Sequence, residues 1–272
     1  MVVQHNITAM NSNRNLNITT KTQAKSTEKL SSGYKINRAA DDAAGLSISE
    51  KMRRQIRGLT QASANAQDGI SCVQTAEGAL TEVHDMLQRM NELAVKAANG
   101  TNKTADQQYI QNEIDALVSE IDRVQQSTKF NEQNLLDGTF TGKSLQVGSE
   151  NSSAQQITMH ISKMGSTELK VNSLKLTTVA DAQSAIDSIK SGIEQVSKQR
   201  SALGALQNRL EHTINNLDNI VENTTSAESQ IRDTDMATEM VRYSNNNILA
   251  QAGQSMLAQA NQANQGVLSL LG

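Results

Sequence analysis

Two long stretches of the chain repeat apolar or small residues at heptad spacing. In the first stretch, two rows recur at every seventh position: Leu59, Ala66, Val73, Leu80, Leu87 and Ala94, and beside them Ala62, Gly69, Ala76, Val83, Met90 and Ala97. In the late stretch, the rows are Ile189, Val196, Leu203, Leu210 and Leu217, and Ile186, Ile193, Ile214 and Val221. Only Arg200 and Gln207 interrupt the second late row. Heptad rows of this kind predict long helices that need helical partners.

The length of these helices indicates how they pack. A helix from residue 46 to residue 97 would be about 80 Å long, at about 1.5 Å per residue. A compact fold of this chain would have a radius of gyration of only about 19 Å. The chain has no proline that would break such helices. We therefore expect the two stretches to pack lengthwise and antiparallel, as a rod with both termini at one end.

The region between the two stretches predicts a third helix and a small β region. After a break at residues 99–102, an apolar stripe keeps four-three spacing through Ile110, Ile114, Leu117, Ile121 and Val124. Residues 130–179 are rich in Gly, Ser and Thr, with short alternating runs at 145–147 and 157–161. The predicted fold class is mainly α: an elongated antiparallel helical bundle or coiled coil with a β-hairpin region, at about 130–180, at its tip.

The two ends of the chain are only weakly apolar. The N-terminal arm carries thinly spaced Val3, Ile7 and Met10, and the C-terminal arm carries Leu249, Met256, Ala263 and Leu270 at heptad spacing, with Leu257 beside that row. An isolated helix of such composition is marginal in water. We therefore expect the arms to become ordered against other surfaces, and we predict that they contact neighbouring subunits.

Composition and charge exclude several classes of function. Hydrophobic residues make up 37% of the chain, aromatic residues make up 2%, and tryptophan is absent, which favours a narrow bundle over a layered domain. The 25 basic and 28 acidic residues give a net charge of −3, which offers no electrostatic reason to bind nucleic acid. No apolar run approaches a membrane span, and the N-terminus has no pattern of a cleavable signal. We expect neither nucleic acid nor membrane as a partner.

The residues that could carry chemistry do not form a recognisable site. Residues 142–144 read Gly-Lys-Ser, as at the end of a phosphate-binding loop, but Asp137 stands where that loop needs its earlier glycine. The four histidines are scattered and have no zinc-binding spacing. Cys72 is the only cysteine, and beside Val73 it is interpreted as a small apolar residue rather than a redox group. The sequence therefore predicts no catalytic, metal or cofactor site, and no enzyme.

Seven longer segments resemble the signature blocks of one family. They are EKLSSGYKINRAADDAAGLSISEKM (28–52), GLTQASANAQDGISCVQTAEGAL (58–80), LQRMNELAVKAANGT (87–101), TKFNEQNLLDG (128–138), LGALQNRLEHTINNL (203–217), AESQIRDTDMATEM (227–240) and ILAQAGQSMLAQANQ (248–262). The first four resemble the N-terminal half of bacterial flagellin, and the last three resemble its C-terminal half, in the expected order. The resemblance covers nearly the whole chain.

The resemblance implies a subunit of the bacterial flagellar filament, in a minimal form with almost no outer insert. Residues 1–40 and 231–272 would form the inner coiled-coil domain of the filament, and residues 41–230 would form the rod domain. The implied partners are further copies of the chain, flagellar cap and hook-associated proteins, and a flagellin export chaperone. The implied location is the extracellular filament, reached by export without a cleavable signal peptide.

The resemblance also implies a contact surface on the rod. In similar flagellins, the host innate receptor TLR5 recognises an Arg, a Leu and a Glu that match Arg89, Leu93 and Glu113. The same surface would serve primarily for packing between filament subunits.

Two other classes of protein stay open at this point. A hook–filament junction protein would share the terminal arms, although we expect it to match the signature blocks less closely. A chemoreceptor-like signalling rod would show similar heptads, but it would need a membrane anchor.

Overall fold

The protein is mainly helical, as predicted. The structure, a computed structural model, describes the backbone of residues 6–271 and the side chains of residues 6–262. Its helices are α1 (Ile7–Ser32), α2 (Ala43–Ala97), α3 (Thr104–Ser127), α4 (Val179–Arg232) and α5 (Met236–Leu271). Its strands are β1 (Lys129–Phe130), β2 (Gln133–Asn134), β3 (Thr141–Gln146) and β4 (Gln156–His160). In this described part, no helix is both long and apolar enough to cross a membrane.

The chain divides into two compact units. One comprises Gln55–Val221, and the other comprises Met1–Arg54 together with Glu222–Gly272. We call them the central unit and the terminal unit. Helices α2 and α4 each contribute residues to both units.

The core of the central unit contains both heptad stretches. Every residue of the first row of α2 is buried, from Leu59 to Ala94, and so is the row of α4 from Ile189 to Leu217. The stripe of α3 joins them through the buried side chains of Ile110, Ile114 and Ile121. These rows bury apolar surface on three helices at once, which is the main favourable term in folding. The helical bundle predicted from the spacing is confirmed.

The predicted β-hairpin is confirmed as the antiparallel pair of β3 and β4, in which Leu145 lies opposite Ile157. Leu145 packs over α2 at Gly69, where an added Cβ would lie 2.5 Å from Leu145 Cδ1 and 3.3 Å from Leu210 Cδ1. The glycine in the second heptad row therefore makes room for both leucine side chains.

A second, very short hairpin, β1 with β2, was not predicted. Its turn residues Asn131 and Glu132 have φ angles of 47° and 63°, in the left-handed region. Tight hairpin turns of this kind are usually marked by Asn-Gly. With glutamate in the second position, the turn has no clear signal in the sequence.

The segment between β4 and α4 has no regular structure, and polar side chains of α3 hold it. The Asp122 carboxylate accepts hydrogen bonds from the backbone N–H of Ser166 at 2.9 Å and from its hydroxyl at 2.8 Å. Gln111 accepts from the N–H of Leu176 at 2.9 Å and donates to the carbonyl of Leu174 at 3.0 Å. Because these backbone groups lack strand or helix partners, the side chains of α3 satisfy them instead.

In the terminal unit, α1 packs against α5. Asn6 connects the two helices, since its Oδ1 accepts from the N–H of Ala9 and its Nδ2 donates to the carbonyl of Ala260, both at 3.0 Å. A Cβ added at Gly253 of α5 would lie 3.4 Å from Leu16 Cδ1 of α1, so the glycine permits close packing.

The end of α1 is joined to the break between α4 and α5. Gly33 ends α1 with φ at 76°, and its carbonyl accepts from the N–H of Thr234 at 2.9 Å. The N–H of Lys35 donates to the carbonyl of Arg232 at 2.6 Å, and the Arg232 guanidinium lies 4.6 Å from the centre of the Tyr34 ring. Backbone bonds and a cation–π contact thus fix this junction.

Candidate assembly surfaces

Among its described residues, the terminal unit exposes most of the apolar side chains that were predicted to belong to the arms. The exposed fractions are 71% for Ile7, 68% for Met10, 57% for Leu249 and 58% for Met256. Leu257 is half-buried instead. Val3 lies outside the described residues, and so do the side chains of Ala263 and Leu270.

The terminal unit also has very little apolar core of its own. Among its described apolar side chains, only Ile36 and Ala250 are fully buried. Its helices α1 and α5 are 26 and 36 residues long. In globular proteins, helices derive most of their stability from packing an apolar face. In their described residues, α1 and α5 bury little apolar surface, so their packing in the single chain gives them little stabilisation.

A groove of about 310 Å³ lies between α1 and α5. Leu16 of α1 and Leu249, Gly253 and Met256 of α5 contribute to its walls. The exposed side chains of Leu249 and Met256 thus belong to a concave, partly apolar surface that an apolar side chain of another molecule could enter.

On the central unit, the predicted contact residues Arg89 of α2 and Glu113 of α3 form an ion pair between the two helices. Arg89 Nε donates to Glu113 Oε1 at 3.0 Å, and Arg89 Nη1 donates to Glu92 Oε2 at 3.1 Å. These hydrogen bonds, the one with Glu113 first, raise the pKa of the Arg89 guanidinium above its usual value. About half of the Arg89 side chain stays exposed, so this pair is accessible to a partner.

The third predicted contact residue, Leu93, has a different environment. It is only 3% exposed and belongs to the core of the central unit. Its burial gives no support to a direct contact. The exposed apolar residues of this region are instead Tyr109, at 73%, and Val95, at 55%.

Tyr109 and Val95 were not among the contact residues predicted from the sequence. Tyr109 precedes Glu113 by one turn of α3, and Val95 follows Glu92 at a spacing of three, so each shares a helix face with one member of the charged pair. We call Arg89, Glu92, Val95, Tyr109 and Glu113 the Arg89 patch. Tyr109 lies outside the apolar stripe of α3, and this position in the sequence could have indicated that its ring is exposed.

The remaining candidate groups are structural. Burial raises the pKa of the Cys72 thiol to about 11, so it stays protonated as a small apolar side chain at neutral pH. Residues 142–144 lie within β3 and not before a helix. Among the described side chains, no group of three or more His, Cys, Asp or Glu residues could hold a metal ion.

These features define the class as a mainly α protein, with a buried apolar core in one unit and helices with exposed apolar side chains in the other. Comparison with known proteins identifies the family. Residues 3–141 match the bacterial flagellin N-terminal helical region, and residues 186–271 match the bacterial flagellin C-terminal helical region. The chain therefore belongs to the bacterial flagellin family.

Full-length relatives agree with this assignment. The chain is 54% identical to a flagellin of Halalkalibacterium halodurans and 51% identical to a flagellin of Bacillus subtilis, with 100% of each chain covered. It is 49% identical to the flagellar filament 31.3 kDa core protein of Treponema maltophilum, again over 100% of both chains. The protein is a structural subunit of the flagellar filament and not an enzyme.

Two solved structures have a similar fold. The crystal structure of Bacillus cereus flagellin matches with a TM-score of 0.51 and 29% identity, over 57% of this chain and 88% of that one. A putative flagellar hook-associated protein from Vibrio parahaemolyticus matches with a TM-score of 0.60, over 71% of this chain and 100% of that one. At 12% identity, the second match shows the fold alone. The hook-associated alternative is not favoured, because full-length relatives with about half of their residues identical are flagellins.

Proposed function

We propose that copies of this chain assemble into the filament mainly through the exposed apolar faces of α1 and α5. In this proposal, residues 1–40 and 231–272 form the inner domain of the filament, and residues 41–230 form its rod domain. The observation that carries the proposal is the small apolar core of the terminal unit, in which Ile36 and Ala250 are the only buried apolar side chains among the described residues.

The magnitude of apolar burial supports this arrangement. Fully burying a large apolar side chain contributes about 1.5–3 kcal/mol relative to leaving it exposed. Ile7, Met10, Leu249 and Met256 are each more than half exposed in the single chain. Burial of these four residues against neighbouring copies would stabilise each subunit in the polymer by several times that amount, before the entropic cost of association.

Limited proteolysis of monomer and polymer tests the proposal. In the monomer, residues 1–40 and 231–272 should be cut rapidly, because helices with few buried contacts open often. In the polymer, the same residues should be protected, while the central unit should resist cleavage in both forms. Equal protection of the two ends in monomer and polymer would contradict the proposal.

We propose further that an export chaperone binds the C-terminal arm near Leu249, Met256 and Leu257 before secretion. Two of these side chains are exposed in the single chain, and a chaperone that covers them would prevent early polymerisation. Export would proceed without a cleavable signal peptide. Deleting residues 231–272 should abolish chaperone binding in a pull-down assay, and undiminished binding would count against the proposal.

Flagellar cap and hook-associated proteins are the proposed partners at the two ends of the filament. They would meet the same exposed helices that other copies meet within it. Protein lacking residues 231–272 should therefore fail to add to purified hook-associated junctions. Addition at the normal rate would exclude this role for the C-terminal arm.

The Arg89 patch is the proposed lateral contact of the central unit and the proposed TLR5 surface. Arg89 and Glu113 are accessible and lie against each other, and Arg is frequent among the residues that dominate binding energy. Leu93 would affect receptor binding only indirectly, through the packing of the core. Arg89→Ala should weaken receptor binding at least tenfold, or by about 1.4 kcal/mol.

Arg123→Ala is the matched control. Arg123 is an exposed arginine of α3 that pairs with Glu120 at 2.8 Å, outside the Arg89 patch. Binding measured by surface plasmon resonance should be unchanged in this variant. An equal loss in both variants would show that the effect is not specific to the patch.

A further inference from the structure

The connection between α2 and α3 contains the only Asn-Gly pair of the chain, Asn99–Gly100. Both residues are exposed. The Asn99 side chain is folded back over the following backbone, where its Oδ1 accepts from the N–H of Thr101 at 3.4 Å. Among the described residues, the N–H of Gly100 has no hydrogen-bond acceptor. A Cβ added at Gly100 would meet nothing within 4 Å.

We propose that Asn99 is a site of spontaneous deamidation, through a succinimide formed with Gly100. The backbone nitrogen of Gly100 attacks Cγ of Asn99 and loses its proton to water or hydroxide. The Cγ–Nδ2 bond breaks, and ammonia leaves. Water then opens the five-membered ring at either carbonyl, which yields aspartate or isoaspartate. The sum is amide plus water giving carboxylate plus ammonium, so no other reactant is needed.

Three features of the site favour this reaction. Glycine offers no side chain that would hinder attack by its own nitrogen, and it adapts readily to the backbone angles that the ring requires. The free N–H of Gly100 has no hydrogen bond to lose when the nitrogen becomes a nucleophile. The N–H of Thr101 polarises the side-chain carbonyl that is attacked, because hydrogen bonding at oxygen draws electron density away from Cγ.

At two other loop asparagines, the half-buried Asn102 and the exposed Asn151, the following backbone nitrogen is held by a hydrogen bond. In the same connection, Asn102 is followed by Lys103, whose N–H donates to Asp106 Oδ2 at 3.2 Å. In the loop between β3 and β4, Asn151 is followed by Ser152, whose N–H donates to the carbonyl of Glu150 at 3.0 Å. Both bonds would have to break before the nitrogen could attack.

The two Asp-Gly pairs of the chain are also disfavoured. Asp68–Gly69 lies within α2, where backbone N–H groups are held in the helix. At Asp137–Gly138, the hydroxyl of Thr139 and then its N–H lower the pKa of the Asp137 carboxyl. The group therefore stays ionised, and a carboxylate is a poor electrophile. Among the Asn-Gly and Asp-Gly pairs, Asn99–Gly100 thus combines an uncharged side-chain carbonyl with a backbone N–H outside a helix.

The modification would alter the connection in two ways. A carboxylate would appear just beyond the C-terminal end of α2, where the helix dipole disfavours negative charge. Isoaspartate would also lengthen the backbone by one methylene between Ala97, the last residue of α2, and Gln107, in the first turn of α3. Both of these residues are buried. This proposal does not depend on the assembly surfaces proposed above.

Peptide mapping of the full-length protein tests the proposal. The protein is kept for days in mildly alkaline buffer prepared with water labelled with heavy oxygen, and fragments are analysed by electron-transfer mass spectrometry. Asn99 should convert to a mixture of aspartate and isoaspartate that contains the heavy isotope. Asn102 and Asn151 serve as internal controls and should convert much more slowly.

The matched variant is Gly100→Ala. Its Cβ meets open space, so the fold should be kept, as a circular dichroism melt would verify. The added methyl group should slow conversion of Asn99 about tenfold, which corresponds to about 1.4 kcal/mol of barrier. Conversion of Asn102 or Asn151 as fast as that of Asn99, or equal rates in the wild type and in Gly100→Ala, would overturn the proposal.

Discussion

Leu210→Ala should lower the free energy of unfolding of the central unit by about 2–5 kcal/mol. Leu210 is the fourth of the five residues in the α4 heptad row and is completely buried. Its Cδ1 lies close to Gly69 in α2, and this residue has no side chain that could fill the space. The cost therefore includes both the lost apolar burial and the remaining cavity.

Ile220→Ala is the control for this variant. Ile220 lies ten positions later in the same helix, but it is 36% exposed. Its replacement should change stability by only about 0.5 kcal/mol, as is usual for surface positions. Urea unfolding of both monomeric variants, followed by circular dichroism, gives the comparison. If Leu210→Ala costs no more than Ile220→Ala, the heptad row does not form the core that its burial indicates.

In the central unit, the heptad pattern predicts the buried residues for a simple physical reason. A heptad row can be buried along one helix only if it faces another helix, so the positions of Leu80 or Leu203 in the pattern already specify their burial. The β3–β4 hairpin was predictable for a similar reason, because alternating residues such as Ile157 and Met159 face one side of a strand.

The features that were not predicted depend on particular neighbours. The β1–β2 turn requires left-handed backbone angles at Asn131 and Glu132. A glutamate in the sequence gives no indication of such angles. The hydrogen bonds that Ser166 donates to Asp122 join positions 44 residues apart, and nothing in the local pattern links them. Leu93 is buried because it lies among the core residues of α2. The contact role that the resemblance implied for Leu93 did not take this burial into account.

The two arms differ from the heptad stretches in what their pattern can specify. Weak apolar spacing in α5 indicated a helix, but it did not decide which side chains meet α1 and which remain exposed. The close approach of Gly253 to Leu16 places one face of α5 against α1. Leu257, seven positions after the buried Ala250 and four after Gly253, is half-buried, whereas Leu249 and Met256, in the walls of the groove between the two helices, remain exposed.

This distinction determines which variant isolates assembly from folding. Leu257→Asp would place a charge at the half-buried contact between α1 and α5, and it would disturb the single chain as well as the polymer. Leu249 is 57% exposed in the single chain, so a charge at this position leaves the monomer nearly unchanged. Leu249 is therefore the better position for a test of assembly.

Leu249→Asp should abolish seeded polymerisation while leaving the thermal unfolding of the monomer nearly unchanged. If neighbouring copies cover this position, the new carboxylate would lose its hydration without gaining a partner, which is strongly unfavourable. Gln251→Asp adds the same charge two residues away at another exposed position of α5, and it should still polymerise. Light scattering and electron microscopy after addition of filament seeds measure both variants. Normal filaments from Leu249→Asp, or equal loss in both variants, would show that the exposed apolar row of α5 is not the surface that subunits bury on assembly.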